Sequence, residues 1–161
     1  MNSFESIYKE NYHRMYRIAK KMVHDEEVAA DVVQEIFVYY YEKMQNGIVV
    51  INLKSWLLRA VVNKCADYLK RRKKHTELTA ASRLTTEDNT FELQNTNIIL
   101  RQAIEKLKPL EMKIVILYSE EYSYKEIAQI ADIKMASVGK TLSRALQKLK
   151  EILIKMKYEM Y

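Results

Sequence analysis

The stretch from Ser123 to Lys150, SYKEIAQIADIKMASVGKTLSRALQKLK, leaves this chain the fewest ways to fold. Ser123 followed by Glu126 has the spacing of a reciprocal helix cap. Ile127, Ala128 and Ala131 then give a short helix one apolar face, and Asp132-Ile133-Lys134 interrupts the pattern. From Ala136 onward, Val138, Leu142, Ala145, Leu146, Leu149, Ile152 and Leu153 return at helical spacing. Ser137, Lys140, Thr141, Arg144 and Lys148 fall on the opposite face. A short helix set across a longer one with a polar, cationic outer face fits the helix-turn-helix of DNA readers. A helical hairpin with a merely solvated lysine face has the same pattern.

Composition extends the helical reading to the whole chain. Two glycines and one proline in 161 residues leave little turn chemistry. The formal charge of +6 is mild support for a polyanionic partner. No apolar run approaches the roughly 18 residues that span a bilayer, and the N-terminus lacks the apolar core of a signal peptide. A cytoplasmic protein is therefore expected. Cys65 falls on the apolar side of its helix and reads as a small core residue. His13, His24 and His75 show no metal-ligand spacing, so neither a metal nor a cofactor is expected.

Charge divides the chain into three. Residues 1–74 hold 14 Lys and Arg against 9 Asp and Glu, residues 75–100 hold 1 against 4, and residues 101–161 hold 12 against 8. The acidic middle, rich in Thr and Asn, has little sustained periodicity and reads as a linker on which Phe91 and Leu93 are candidates for local docking.

The first basic block reads as three helices. Phe4, Ile7, Tyr8, Met15, Ile18 and Met22 form the stripe of the first, with Asn2 as its expected cap. The second starts near Asp25 and runs to about Met44, with Val28, Val32, Ile36 and Tyr40 inward. Its other stripe, Glu27, Asp31, Gln34, Glu35, Val38 and Glu42, is mainly acidic within a basic block. A solvated face is the commoner cause of such a stripe; a docking face for a protein partner is the sharper reading. Asn46-Gly47 signals a turn, and Ile48 to Ile51 reads as an apolar loop covering the end of the domain. The third helix is expected from Leu53 to Lys74, with Trp56, Leu57, Ala60, Val61, Cys65, Tyr68 and Leu69 inward. Arg59, Asn63, Lys64, Lys70 and Arg71 lie on its polar side. The five cations that end it exceed what a helix dipole needs and suit phosphate contact.

Three segments in order carry a resemblance: DEEVAADVVQEIFVYYYEKM, WLLRAVVNKCADYLKRRKK, and LRQAIEKLKPLEMKIVILYSEEYSYKEIAQIADIKMASVGKTLSRALQKLKEIL. Together they resemble the extracytoplasmic-function group of bacterial RNA polymerase sigma factors. The resemblance implies an all-α chain of two small helical domains: region 2 over residues 1–74, a flexible linker over 75–98, and region 4 over 99–161. It implies that Glu27, Asp31, Gln34 and Glu35 dock on the clamp helices of the largest polymerase subunit. It places Asn52, Ser55, Arg59, Asn63, Lys64, Lys70 and Arg71 on the −10 promoter element, where bases are flipped out and read. Ser137, Lys140, Thr141, Arg144 and Lys148 are implied to read the −35 element. Expected partners are core RNA polymerase (its clamp helices and the subunit that meets region 4), promoter DNA, and an anti-sigma factor. No small-molecule substrate is expected, the free chain is expected to be a monomer, and the chemistry belongs to the polymerase rather than to this chain.

Two departures stand out. Lys134 occupies the position where the family usually has a capping serine, which leaves Asp132 as the candidate cap of the recognition helix. Gly139 lies inside that helix at a cost of about 1 kcal/mol relative to alanine, as a candidate point of close approach to DNA. The residues alone also admit a stand-alone, dimeric helix-turn-helix regulator or an adaptor that binds only proteins. The first needs a dimer seam, and no sustained heptad is present.

Overall fold

The computed structural model describes residues 3–78 and 93–159. These residues form seven helices, with no strand among them. Asn2 and Phe91, read above as a cap and as a docking residue, lie outside them.

Helices α1 (Phe4–Val23), α2 (Glu26–Gln45) and α3 (Leu53–Leu78) build the first domain. Ser3 caps α1, its hydroxyl accepting from the Ser6 N–H at 3.2 Å. His24 closes it in the left-handed conformation, its N–H donating to the Lys20 carbonyl. Asp25 caps α2 as expected, accepting from the Val28 N–H at 3.0 Å. Met15, Ile18, Met22, Val33, Phe37, Leu57, Leu58, Val61 and Cys65 bury almost completely between the three helices. Burial pushes the Cys65 thiol up to about 12, so it is an inert core group.

Helices α4 (Leu93–Glu105), α5 (Pro109–Ser119), α6 (Tyr124–Ala131) and α7 (Met135–Glu159) build the second. Pro109 starts α5 where its missing N–H costs nothing. Ser123 and Glu126 form the expected reciprocal cap of α6, at 3.1 and 2.8 Å. Ile114, Leu117, Ile127, Ile130, Val138, Leu142 and Ala145 make the core. Leu146, counted above on the apolar face of α7, is instead 40% exposed.

Three other expectations change. Helix α3 runs four residues past Lys74, because its cationic end suits the negative pole of a helix. The apolar loop does not cover the domain end. Val50 packs on the core, but Val49 and Ile51 are 86% and 89% exposed; the loop turns outward between Gly47 at φ +70° and Asn52 at φ +53°. Asp132 does not open α7; it closes α6 in the left-handed conformation, its N–H on the Ala128 carbonyl. At the start of α7 the Ser137 N–H bonds the Lys134 carbonyl.

The two domains meet. Helix α6 lies along α3, and α5 touches α1.

Candidate nucleic-acid and polymerase interfaces

Three polar surfaces stand out. The first is the acidic stripe of α2. Asp31, Gln34, Glu35, Val38, Tyr39 and Glu42 line one shallow depression. Glu27, Asp31, Gln34 and Glu35 are all exposed. Tyr39 stacks on Trp56 at 6.0 Å between ring centres, and Lys43 Nζ lies over the Tyr39 ring at 4.8 Å from its centre. Lys64, assigned above to DNA, pairs with Glu35. Its charge therefore faces the α2 stripe rather than the rest of the α3 polar side.

The second surface is the polar side of α3, which is engaged by the second domain. The Gln129 side-chain oxygen accepts from Asn52 Nδ2 and from Ser55 Oγ, each at 3.2 Å. Arg59 Nε donates to the Gln129 backbone carbonyl at 3.1 Å, and Nη2 donates to the same oxygen. That carbonyl lies in the last turn of α6, where no further helical N–H is available, so a guanidinium is a suitable partner. Arg59 also lies 3.8 Å from the Asp132 carboxylate. One turn on, Lys113 Nζ of α5 donates to Asn63 Oδ1 at 2.8 Å, and burial lowers the pKa of Lys113. Lys54 faces Glu126 at 3.5 Å. Lys70 and Arg71 lie beyond this contact, exposed and with no ion-pair partner among the described residues.

The third surface is the outer face of α7. Ser137, Lys140 and Arg144 are exposed and Thr141 is partly so. Lys148 departs from the group: its Nζ lies 3.1 Å from Glu111 Oε2. Burial alone raises the Glu111 pKa, but hydrogen bonds from the Lys108 backbone N–H and from Lys148 outweigh it and hold the carboxyl below its ordinary value. Gly139 faces Tyr124 at the start of α6 rather than open space: a Cβ there meets Tyr124 Cε2 at 3.4 Å, an ordinary contact.

Periodicity missed Gln129, Lys113 and Glu120, which join the domains. Glu120 receives both Arg17 and Lys21 of α1 although it lies about a hundred positions from each of them in the chain. No local pattern marks such a pairing; an unmatched carboxylate just past a helix end was the single sign. No described residues form a cluster of metal-binding side chains, and no described helix is long and apolar enough to cross a membrane.

Comparison with known proteins matches residues 7–75 to the model of sigma-70 region 2 and residues 97–149 to that of sigma-70 region 4. The chain is 28% identical to RNA polymerase sigma factor YlaC of Bacillus subtilis, over 98% of this chain and 96% of the relative. It is 24% identical to ECF RNA polymerase sigma factor SigM of Mycobacterium tuberculosis, over 94% of this chain and 77% of the relative. Among solved structures it is similar to the sigma factor RpoE of Bartonella quintana, in complex with the anti-sigma factor NepR. The TM-score is 0.63 at 21% identity, with 93% of this chain and 96% of the other covered.

Proposed function

We infer the work of each surface from a fixed premise: this chain belongs to the sigma-70 family, in its extracytoplasmic-function group. It is a sigma factor that binds core RNA polymerase and directs promoter-specific initiation of transcription. A dimeric stand-alone regulator and a protein adaptor are disfavoured, because both region matches occur in order in one chain.

On our reading, Glu27, Asp31, Gln34 and Glu35 dock on core polymerase. The single observation that supports this is an exposed acidic stripe on an otherwise basic domain, which repulsion keeps away from DNA. Asn52, Ser55, Arg59, Asn63, Lys64, Lys70 and Arg71 take the −10 element, with Lys64 also paired to Glu35. Ser137, Lys140, Thr141 and Arg144 read the −35 element, and Lys148 meets phosphate. The chain performs no chemistry of its own, works in the cytoplasm as a monomer when free, and is held by an anti-sigma factor, as the RpoE neighbour is held by NepR.

The test is a titration of core polymerase with the full chain, followed by transcription from a candidate promoter. Asp31→Lys with Glu35→Lys is expected to weaken core binding by at least about 2 kcal/mol, the scale of lost interfacial charge pairs. Helix content is expected to stay unchanged, since both positions are exposed. Unaltered affinity for core removes the assignment of the stripe.

A further inference from the structure

Tyr39 belongs to two surfaces at once. It lines the depression of the α2 stripe with Asp31, Gln34, Glu35, Val38 and Glu42, and it is 53% exposed. Its ring also stacks on Trp56 of α3, at 6.0 Å between centres and an interplanar angle of 23°. Trp56 stands in the first turn of α3, where its N–H donates to the Asn52 carbonyl at 3.1 Å. It follows Ser55 directly and precedes Arg59 by three positions, so it shares that turn with residues assigned to the −10 element. The indole also meets Tyr40, which is buried and stacks in turn on Phe4. Trp56 is therefore held by one ring fixed in the core and by one ring open to solvent. The loop that enters α3 adds little to this hold: Val50 packs on the core, whereas Val49 and Ile51 turn away from it.

We propose that Tyr39 is a positioning residue, which ties docking on core polymerase to −10 reading by holding Trp56 and, with it, the first turn of α3. This rests on the assignments of the α2 stripe to core and of α3 to the −10 element. A ring with half its surface in water keeps rotamer freedom, so the stack it makes holds its neighbour loosely. A polymerase side chain seated in the depression covers the Tyr39 ring and removes that freedom. The stack on Trp56 then tightens between two fixed rings, and the turn that carries Asn52, Ser55 and Arg59 is ordered before a base arrives. The entropy lost in ordering that turn is met at docking, so less remains to oppose base capture. Asp31, Gln34 and Glu35 lie on the same stripe, but Tyr39 is the lining residue whose ring contacts α3. Those three residues set how tightly core is bound, and Tyr39 sets what the bound chain does next.

The experiment uses holoenzyme assembled at saturating core, so that a change in docking affinity does not enter the reading. Tyr39→Ala is expected to slow open-complex formation about two- to tenfold, the worth of an aromatic pair. Tyr39→Phe keeps the ring and is expected to open at the wild-type rate. Tyr41→Ala removes another exposed tyrosine of α2, whose ring meets Phe4 instead, and is also expected to open normally. In a Trp56→Leu background the stack is already gone, so Tyr39→Ala is expected to add nothing. Trp56 is the single tryptophan of the chain. Replaced by 5-hydroxytryptophan, it is excited apart from the tryptophans of the polymerase. Its emission is expected to shift when core is added to the wild type and to stay fixed in Tyr39→Ala. Wild-type opening by Tyr39→Ala overturns the proposal. So does an equal loss in Tyr41→Ala, a Tyr39→Phe variant that opens as slowly as Tyr39→Ala, an undiminished effect of Tyr39→Ala beside Trp56→Leu, or a wild-type emission that core leaves unchanged. Circular dichroism checks folding. Should Tyr39→Ala lose helix, Tyr39→Leu takes its place, with a strong helix former and no ring. Failure of the two underlying assignments is distinguishable. The docking reading fails if Asp31→Lys with Glu35→Lys keeps full affinity for core, and the −10 reading fails if melting stays normal when Arg59 or Asn63 is replaced.

Discussion

Helices α3 and α7 carry similar stripes of amide, hydroxyl and cationic side chains, yet the chain itself engages the first and leaves the second to solvent. At the entry to α3 and along it, Asn52, Ser55, Arg59 and Asn63 all have partners in α5 or α6. On α7, Ser137, Lys140 and Arg144 are exposed, and Lys148 is tied to Glu111 within its own domain. The difference separates possessing a surface proposed to read DNA from presenting one. Both stripes have helical spacing in the sequence, and nothing in that spacing says which will be covered. Availability is decided by the Gln129 carbonyl, which ends α6 unsatisfied beside a guanidinium, and by a carboxylate at Glu120 that finds two cations on α1.

The largest effect that tests this contrast belongs to Arg59. In holoenzyme, Arg59→Ala is expected to reduce open-complex formation by about 1.5–3 kcal/mol, the range of a lost hydrogen bond to a charged group. Core binding is expected to be unaffected, because the α2 stripe is a separate surface. Permanganate reactivity of the −10 region measures it. Normal melting breaks the contrast, since Arg59 then serves only as the tie to Gln129.

Most of the fold was legible before any coordinates. Asp25 and the pair Ser123 and Glu126 set helix starts by local hydrogen bonds that depend only on neighbouring residues. The inward stripes of α1 to α3 follow from apolar spacing, which nearly any tertiary context preserves. What sequence reading misplaced depended on non-local partners. Ile51 was read as cover because it is apolar, but the backbone leaves the turn at Asn52 in a left-handed conformation that carries it away from the core. Asp132 was read as a cap for α7 because carboxylates suit helix starts, but closing α6 took that residue first. Lys64, on the polar side of α3, has a non-local neighbour of the same kind, since Glu35 on α2 lies within its reach. The joint between the domains, and with it the covering of α3, was not legible at all, because its partners are separated by the linker and share no periodicity.

A middle-sized effect belongs to Arg144, which has no such joint to escape. Replacing it by alanine is expected to cost about 1–2 kcal/mol more on the cognate −35 element than on scrambled DNA, as for a lost base contact. The measurement is made in holoenzyme by competition between the two sequences. Equal losses on both make Arg144 a backbone contact, and reading then rests on Ser137, Lys140 and Thr141. The result sharpens the contrast in a second way. Since Ser137, Lys140 and Arg144 lie exposed and apart from the joint between the domains, Glu120→Gln with Gln129→Ala is expected to leave this sequence preference unchanged.

The smallest effect belongs to Lys148, the one member of the α7 stripe that behaves like the α3 residues. Its partner Glu111 already accepts from the Lys108 N–H at 2.8 Å, so the pair ties α7 to the start of α5. The side chains of Lys148 and Glu111 are 36% and 19% exposed. At that exposure the loss of stability in Lys148→Ala is expected to be under about 1 kcal/mol by thermal or urea unfolding. The sign with pH follows from the lowered carboxyl of Glu111. A carboxylate held below its ordinary 4.5 stabilises the fold above that value and loses the contribution as pH falls below it. Removing Lys148 takes away one of the groups that lower it, so the variant and the wild type are expected to converge in stability as the solution is acidified. On DNA, a fully free lysine at a phosphate adds about one unit to the salt slope. A lysine half-neutralised by Glu111 adds less, so Lys148→Ala is expected to flatten the slope by less than one unit and to weaken cognate and scrambled sequences alike. A loss of a full unit means instead that Lys148 leaves Glu111 when DNA arrives, which would give α7 a small internal contact to release, of the same kind that governs α3.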